Sequence, residues 1–220
     1  MPARPQQSIA PVDPAEPDVL QEDVSSKEEH LIRNAYRLIG AKGMHRMTLQ
    51  DIADSADVSK AVVIYYFKTK ENLVLKTMRW VLAQVAARVS AAIAGASSPE
   101  EKVQAMIDAI FVDPQRNRDF YIVYAELIAH SSRNGRFAEL NSWFREIVTG
   151  QYAAVIGSTS RMSKRRIAES AKVVRALIDG LFLQWLEEPD WKSRHSEYKE
   201  LCVRSIISFL DEEGTGQPPR

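Results

Sequence analysis

From Ser26 to Leu210 the apolar residues recur at intervals of three and four. Nearly every such run is opened by a capping residue and closed by glycine or proline. That spacing puts them on one face of a helix, whereas a strand would require alternation. Ser26 and Glu29 fit a capping box ahead of Leu31, Ile32, Ala35, Leu38 and Ile39, and Gly43 supplies the stop. Thr48 with Asp51 forms a second cap before Leu49, Ile52 and Ala53. Ser59 opens a third helix, Lys60 to Phe67. The second and third are short and joined through Ser55-Ala56-Asp57-Val58, so they read as a helix-turn-helix. A longer helix starts near Thr69, carries Val74, Met78, Val81, Leu82, Val85, Val89 and Ile93, and stops at Gly95.

The same grammar continues. Ser98-Pro99-Glu100-Glu101 combines a cap, a proline at the first helical position and early acids. Asp113-Pro114 starts another helix, ending at Asn134-Gly135; a further one runs to Gly157. Ser163 caps a long helix that Pro189 blocks, and a last helix spans about Glu197 to Leu210. No strand-like alternation and no repeat is present. The pattern predicts an all-α chain of about nine helices. Residues 1–24 are acidic and proline-rich and read as a disordered arm; 25–72 form a small head, 73–212 a larger helical body, and 213–220 a flexible tail.

Apolar residues make up 45% of the 220, enough for a proper core. No stretch reaches the roughly 18 uncharged apolar residues of a membrane span. The opening segment has no apolar h-region, and Cys202 is the single cysteine, so a cytoplasmic, disulfide-free protein is expected. His30, His45, His130 and His195 are scattered without metal-ligand spacing, and neither metal nor cofactor is expected. No nucleophile–base pair or phosphate-binding glycine loop supports an enzyme. Net charge is zero, but residues 27–79 hold ten basic residues against six acidic, a local +4. A small basic segment suits phosphate contact, though many solvated helical faces look the same.

The informative stretch is Met47 to Leu73. Thr48, Asp51-Ile52-Ala53, Ala56, Val58-Ser59, Val63, Tyr66-Phe67, Lys70 and Leu73 fall at fixed mutual spacing, with Ile32, Ala35, Leu38 and Gly43 upstream. This segment resembles the DNA-binding head of the TetR family, over about residues 27–80. Two positions depart from the family pattern. Asp57 stands where a turn glycine is usual, so the turn must take a conformation aspartate tolerates. Ile64 replaces a tyrosine common in the recognition helix. Val63-Ile64-Tyr65-Tyr66-Phe67, Tyr124 to His130, Phe137 to Leu140 and Ala176 to Leu181 are similar to the BetI-like branch of the family.

Side-chain chemistry agrees with a groove reader. Residues near the N-terminal end of a helix in the major groove reach base edges. Val63 and Phe67 should face the core with Val58 and Ile52, leaving Lys60, Ala61, Val62, Ile64 and Tyr65 outward. Lys60 can donate to guanine; Ala61, Val62 and Ile64 can touch thymine methyls. Gln50 can reach a flanking base or phosphate, and Tyr65 and Tyr66 can offer hydroxyls to phosphates. Thr48 sits at a helix start that favours an anion. Lys68 and Lys70 flank the next helix start, where a cation is unfavourable unless a phosphate approaches. Core packing of the aromatics, ordinary solvation of the lysines and simple capping by Thr48 account for the same residues without DNA.

The resemblance implies a homodimer held by the last two long helices. Val173, Ala176, Leu177, Gly180, Leu181, Ile206 and Phe209 are the expected interface. The helix around them is apolar nearly all round, more than one buried face needs; a central position in a monomeric body would also explain it. Gly180 weakens that helix, and close approach across a dimer would account for it. The resemblance also implies an unknown small-molecule effector bound in the body; the BetI-like branch includes a choline-responsive repressor. Candidate contacts are Tyr121, Tyr124, Glu126, His130, Trp143, Phe144, Tyr152 and Trp185, although for each alone plain core packing is the more ordinary reading. The expected function is a regulator of double-stranded operator DNA, a repressor released when ligand shifts the fourth helix, Glu71 to Ala94. A ligand-independent activator, a DNA-architectural binder and a helical protein-interaction module are the alternatives.

Overall fold

The computed structural model describes residues 26–158 and 162–215. Among these it shows nine helices and no strand: α1 (Ser26–Lys42), α2 (Leu49–Ser55), α3 (Lys60–Phe67), α4 (Lys70–Ala94), α5 (Pro99–Ile110), α6 (Pro114–Ser131), α7 (Gly135–Gly157), α8 (Lys164–Glu187) and α9 (Trp191–Thr215). The arm expected at 1–24, and residues 216–220 of the expected tail, lie outside the described residues. Residues 213–215 of that tail are helical instead, continuing α9.

Most caps fall where the sequence puts them. Thr48 Oγ1 accepts from the Asp51 N–H at 3.1 Å while Asp51 Oδ2 accepts from the Thr48 N–H at 2.8 Å, a complete capping box. Ser98 and Glu101 form another, Asp113 caps α6, and Ser163 caps α8. Three expectations need correction. Ser26 is already helical, and Glu29 instead accepts from Arg33 Nη2 at 2.6 Å. Ser59 holds the N-cap position of α3 with no side-chain hydrogen bond. The last helix begins at Trp191, well before Glu197, because His195 and Tyr198 are buried and serve as core positions in a stretch that looks polar.

α1, α2 and α3 form the head. Ile52, Ala53, Val63 and Phe67 bury their side chains with Leu31, Ala35, Ile39 and Met47. α4 leaves the head and enters the body without interruption. Leu73, Val74 and Met78 pack in the same apolar cluster as Leu82 and Val89 further along, and that cluster reaches α9 at Leu210. A boundary between 72 and 73 therefore falls inside the first turn of a helix. In the body, α4 and α5 pack together, α7 lies against α4 and α8, and α9 lies against α5 and α8.

The turn between α2 and α3 depends on Asp57, which adopts φ 51°. Its Cβ crowds the neighbouring carbonyl in that left-handed region, a strain aspartate bears better than most residues. Asp57→Val should lower unfolding free energy by about 1–2 kcal/mol in urea titrations, because a β-branched residue at positive φ is a true outlier. Asp57→Gly should keep stability within about 1 kcal/mol of the parent, since glycine takes that conformation freely but costs more chain entropy.

Candidate nucleic-acid interface and body interior

α3 is shared between core and solvent. Val63 is fully buried and Phe67 nearly so, which fixes the rotation of the helix. Lys60 and Ala61 are then exposed, Ile64 is 41% exposed and Tyr65 71% exposed. Two isoleucine- and tyrosine-sized surfaces stand in water on a helix whose other face is saturated by packing. Val62, expected outward, is half-buried against the core, and so is Tyr66. Tyr66 meets the Tyr65 ring edge-on at 5.4 Å. Lys68 closes α3 with φ 64° and lays Nζ 5.3 Å from the centre of the Tyr65 ring.

The flanking polar groups are held by the head itself. The exposed Thr48 is occupied by its cap. Gln50 Nε2 donates to Asp54 Oδ1 at 2.7 Å, which leaves its amide oxygen outward-capable. Lys70 Nζ donates to the His45 carbonyl at 2.9 Å, so a backbone acceptor, not only a phosphate, resolves a cation at the start of α4. Lys42 Nζ donates to Asp51 Oδ1 at 2.8 Å. That bond, with those from Thr48, lowers the Asp51 carboxyl to about 2.

The body interior brings four of the eight sensing candidates together. Tyr121 stacks on Phe182 with ring centres 3.7 Å apart, and Tyr124 meets Phe144 edge-on at 5.8 Å and lies parallel to Phe120 at 5.7 Å. Tyr124 Oη accepts from Arg175 Nη2 at 2.6 Å, and Arg175 Nε donates to Asp179 Oδ2 at 3.3 Å. Burial raises the hydroxyl pKa of Tyr121, Tyr124 and Tyr152, and the Asp179 charge raises each further. Asp179 is itself raised by burial against the pull of Arg175. These two residues escaped the sequence reading. Their signal was a charged pair one turn apart within the otherwise apolar run from Val173 to Leu183.

Of the other four candidates, Trp185 borders this cluster, its ring meeting Phe182 edge-on at 5.8 Å, and the rest lie elsewhere. Glu126 accepts from the Met44 N–H at 2.7 Å, across to the head. His130 packs between Phe137 and His45, with ring centres 4.5 and 5.7 Å away. Trp143 is half-buried beneath the Arg79 guanidinium at 4.9 Å. Trp185 is fully buried and donates Nε1–H to the Trp191 carbonyl at 2.6 Å, which locks the turn from α8 to α9.

α8 has two apolar faces. Ala171, Val174, Ile178, Phe182 and Trp185 point inward; Val173, 46% exposed, and Leu183, 50% exposed, point out, with Ala176 exposed and Leu177, Gly180 and Leu181 half-buried. A side chain at Gly180 would meet nothing within 4 Å. Ile206 departs from expectation: it is 1% exposed and belongs to the protomer's own core, because α9 turns that face to α5 and α8. Phe209 is half-buried.

Two short helices joined by a tight turn, the second partly exposed, carried on an all-helical body, are the architecture of a helix-turn-helix protein. The comparisons agree. The family model described as bacterial regulatory proteins, tetR family, matches residues 31–77, and the model for the BetI-type transcriptional repressor C-terminal region matches residues 99–210. The HTH-type transcriptional regulator BetI of Brucella canis is 31% identical over 159 residues, covering 72% of this chain and 79% of that protein. A transcriptional regulator from Rhodococcus sp. Rha1 shares the fold with a TM-score of 0.75 at 19% identity, covering 87% of this chain and 99% of that one. So does a Saccharomonospora viridis regulator in complex with choline, with a TM-score of 0.73 at 22% identity over 86% of this chain and 97% of that one. The chain belongs to the TetR family of bacterial regulators and carries a BetI-type C-terminal half.

The charge balance around Asp51 is directly measurable. Its side-chain carbon shift, followed by NMR, should titrate near pH 2, against about 3.9 for a free aspartate. Because the pKa is depressed in the fold, the stabilisation is present above the unfolded value and is lost as pH falls through the folded one. Lys42→Met should move the midpoint up; an unchanged midpoint would remove Lys42 as its cause.

Proposed function

We propose that the protein is a ligand-responsive repressor which grips a near-palindromic operator as a homodimer and leaves it when a small molecule occupies the body. The observation that carries the reading is the outward side of α3: Lys60, Ala61, Ile64 and Tyr65 stand in solvent while Val63 and Phe67 are consumed by the core. An exposed mix of aliphatic, aromatic and cationic groups on one short helix fits base edges and thymine methyls. Thr48, Gln50 and Lys68 flank that side and contact backbone phosphates; Val62, Tyr66 and Lys70, being half-buried, contribute less. Residues 25–72 act as the reading head and 73–212 as the sensing and pairing body. The outer face of α8, from Val173 to Leu183, with Phe209, joins two copies.

The tyrosine cluster with Asp179 supports a small organic cation as effector. Ring faces attract a quaternary ammonium, and Asp179, paired with Arg175 in this structure, offsets the guanidinium charge that would otherwise repel it. The Saccharomonospora viridis protein, similar in fold, is itself complexed with choline. No described helix is long and apolar enough to cross a membrane, and we place the protein in the cytoplasm.

Genomic selection of bound DNA supplies the operator for the test. Lys60→Ala should weaken operator affinity by about 1–3 kcal/mol and relax preference at one base pair. Tyr66→Phe should weaken it more uniformly and by less than a factor of about ten. If neither variant binds more weakly, the assignment of α3 fails. Choline at millimolar concentration should release wild-type protein from the operator; retention would discard the cationic effector while leaving the DNA reading intact.

A further inference from the structure

α6 presents two faces to two parts of the molecule. Tyr121 and Tyr124 meet the aromatic cluster and Arg175. Asp119, Val123, Glu126 and His130 fall on a different stripe of the same helix, and each faces the head. A Cβ placed on Gly40 of α1 would lie 3.9 Å from Val123 Cγ2 and 4.0 Å from Asp119 Cβ. Glu126 Oε2 accepts the Met44 N–H, and His130 meets His45.

We propose that Glu126 is a positioning residue for DNA recognition: its carboxylate holds the turn between α1 and α2, so that α6 sets the attitude of the reading helix directly rather than through α4 alone. The inference rests on the reading above, in which α3 meets duplex DNA.

The local geometry is built for this contact. Met44 is 4% exposed, and its N–H, just past the end of α1, turns away from the helix's own carbonyls and is taken by Glu126. A buried N–H needs a partner, and a carboxylate makes a charge-assisted one. Gly43 adopts φ 81°, and a Cβ there would sit 3.1 Å from Glu126 Oε1. Glycine at that position thus permits both the backbone bend and the approach of the carboxylate. The turn leads straight into Thr48, the cap of α2.

The other end of the helix-turn-helix is held from the same quarter. Asn134 Nδ2 donates to Glu71 Oε1 at 2.8 Å, and Arg136 Nη2 donates to Asn72 Oδ1 at 2.8 Å. Asn134 and Arg136 lie at the corner between α6 and α7, whereas Glu71 and Asn72 lie in the first turn of α4. The entrance to the reading unit at residues 43–44 and its exit at 71–72 are therefore gripped by one continuous segment, 126–136. A displacement of α6 pulls on both together and rotates the unit as a body.

The test uses the full-length chain and three variants: Glu126→Ala, Glu126→Gln and Lys60→Ala. By hydrogen exchange, the Met44 amide should exchange about tenfold faster in Glu126→Ala, with α8 and α9 unchanged, and Glu126→Gln should restore much of the protection. Operators with half-sites moved apart by one or two base pairs then read the attitude of the heads. Wild type should discriminate sharply among spacings. Glu126→Ala should flatten that discrimination by about fivefold or more, with glutamine rescuing it, whereas Lys60→Ala should weaken all spacings alike. Unchanged Met44 exchange overturns the latch. Faster exchange with an unaltered spacing profile overturns its positioning role and leaves a merely local bond. If wild type ignores all duplexes, the regulator reading falls, and the exchange arm alone decides whether Glu126 holds the head.

Discussion

The head of this protein has no core of its own in the sense of a separable domain. Fewer than about 60 residues bury too little surface to be robust alone, and a three-helix unit needs a wall to close against. α4 is that wall. Its first three turns place Leu73, Val74 and Met78 in the same apolar cluster as Ile52, Val63 and Phe67, and the cluster runs on into the body without a gap. Everything else follows from this continuity. Because Val63 and Phe67 are spent on the shared core, the rotation of α3 is fixed, and with it the choice of residues that face outward. Under the proposed function, a reading surface mounted on this shared core would also feel displacement in the body, since close-packed interiors transmit strain.

How much of this was legible in the chain depends on the range of the interaction. Caps and stops are local, and Thr48–Asp51, Ser98–Glu101, Asp113 and Gly43 stand in the structure as their spacing implies. Asp57 at positive φ is likewise a local consequence of a short turn. The failures are of two kinds. Ser59 has the right residue type, but a side-chain cap requires a hydrogen bond, and the backbone closes that end without one. The onset of α9 was hidden because its first core positions are Trp191, His195 and Tyr198, and periodicity read on aliphatic residues alone cannot see a buried histidine. His195 is kept neutral-leaning by burial and is satisfied by Asn117 Oδ1 at 2.9 Å.

The candidate site shows the same division more sharply. The exposed side of α3 was legible because an eight-residue helix with two committed core positions leaves little freedom for the rest. The polar partners were not. Lys70 with His45 O, Glu126 with Met44 N and Arg175 with Tyr124 join residues distant in sequence, and no local rule marks them. Glu126 and His130 were grouped with the sensing residues because they share a helix with Tyr121 and Tyr124. Only the rotation of α6 separates them, and neighbours on both sides set that rotation. Ile206 was misplaced for the same reason: α9 is flanked closely enough that its apolar stripe could belong to either side.

Among the described residues, the large hydrophobics left in solvent are two pairs, Ile64 with Tyr65 on α3 and Val173 with Leu183 on α8, and the isolated Val112 and Ile128. Single exposed aliphatics are ordinary, so neither pair is informative through its size. What distinguishes them is position on helices whose opposite faces are saturated. On α8 the inward stripe of Val174, Ile178, Phe182 and Trp185 already satisfies the core, so the outward stripe contributes nothing to protomer stability and adds to the cost of solvation. On α3 the argument is identical on a smaller scale. Under the proposed function, a chain of zero net charge with only a local basic excess draws less affinity from long-range attraction to phosphates, and short-range fit at α3 would carry more of it. Fit of that kind depends closely on the angle at which α3 is presented, and so on how firmly the head is seated.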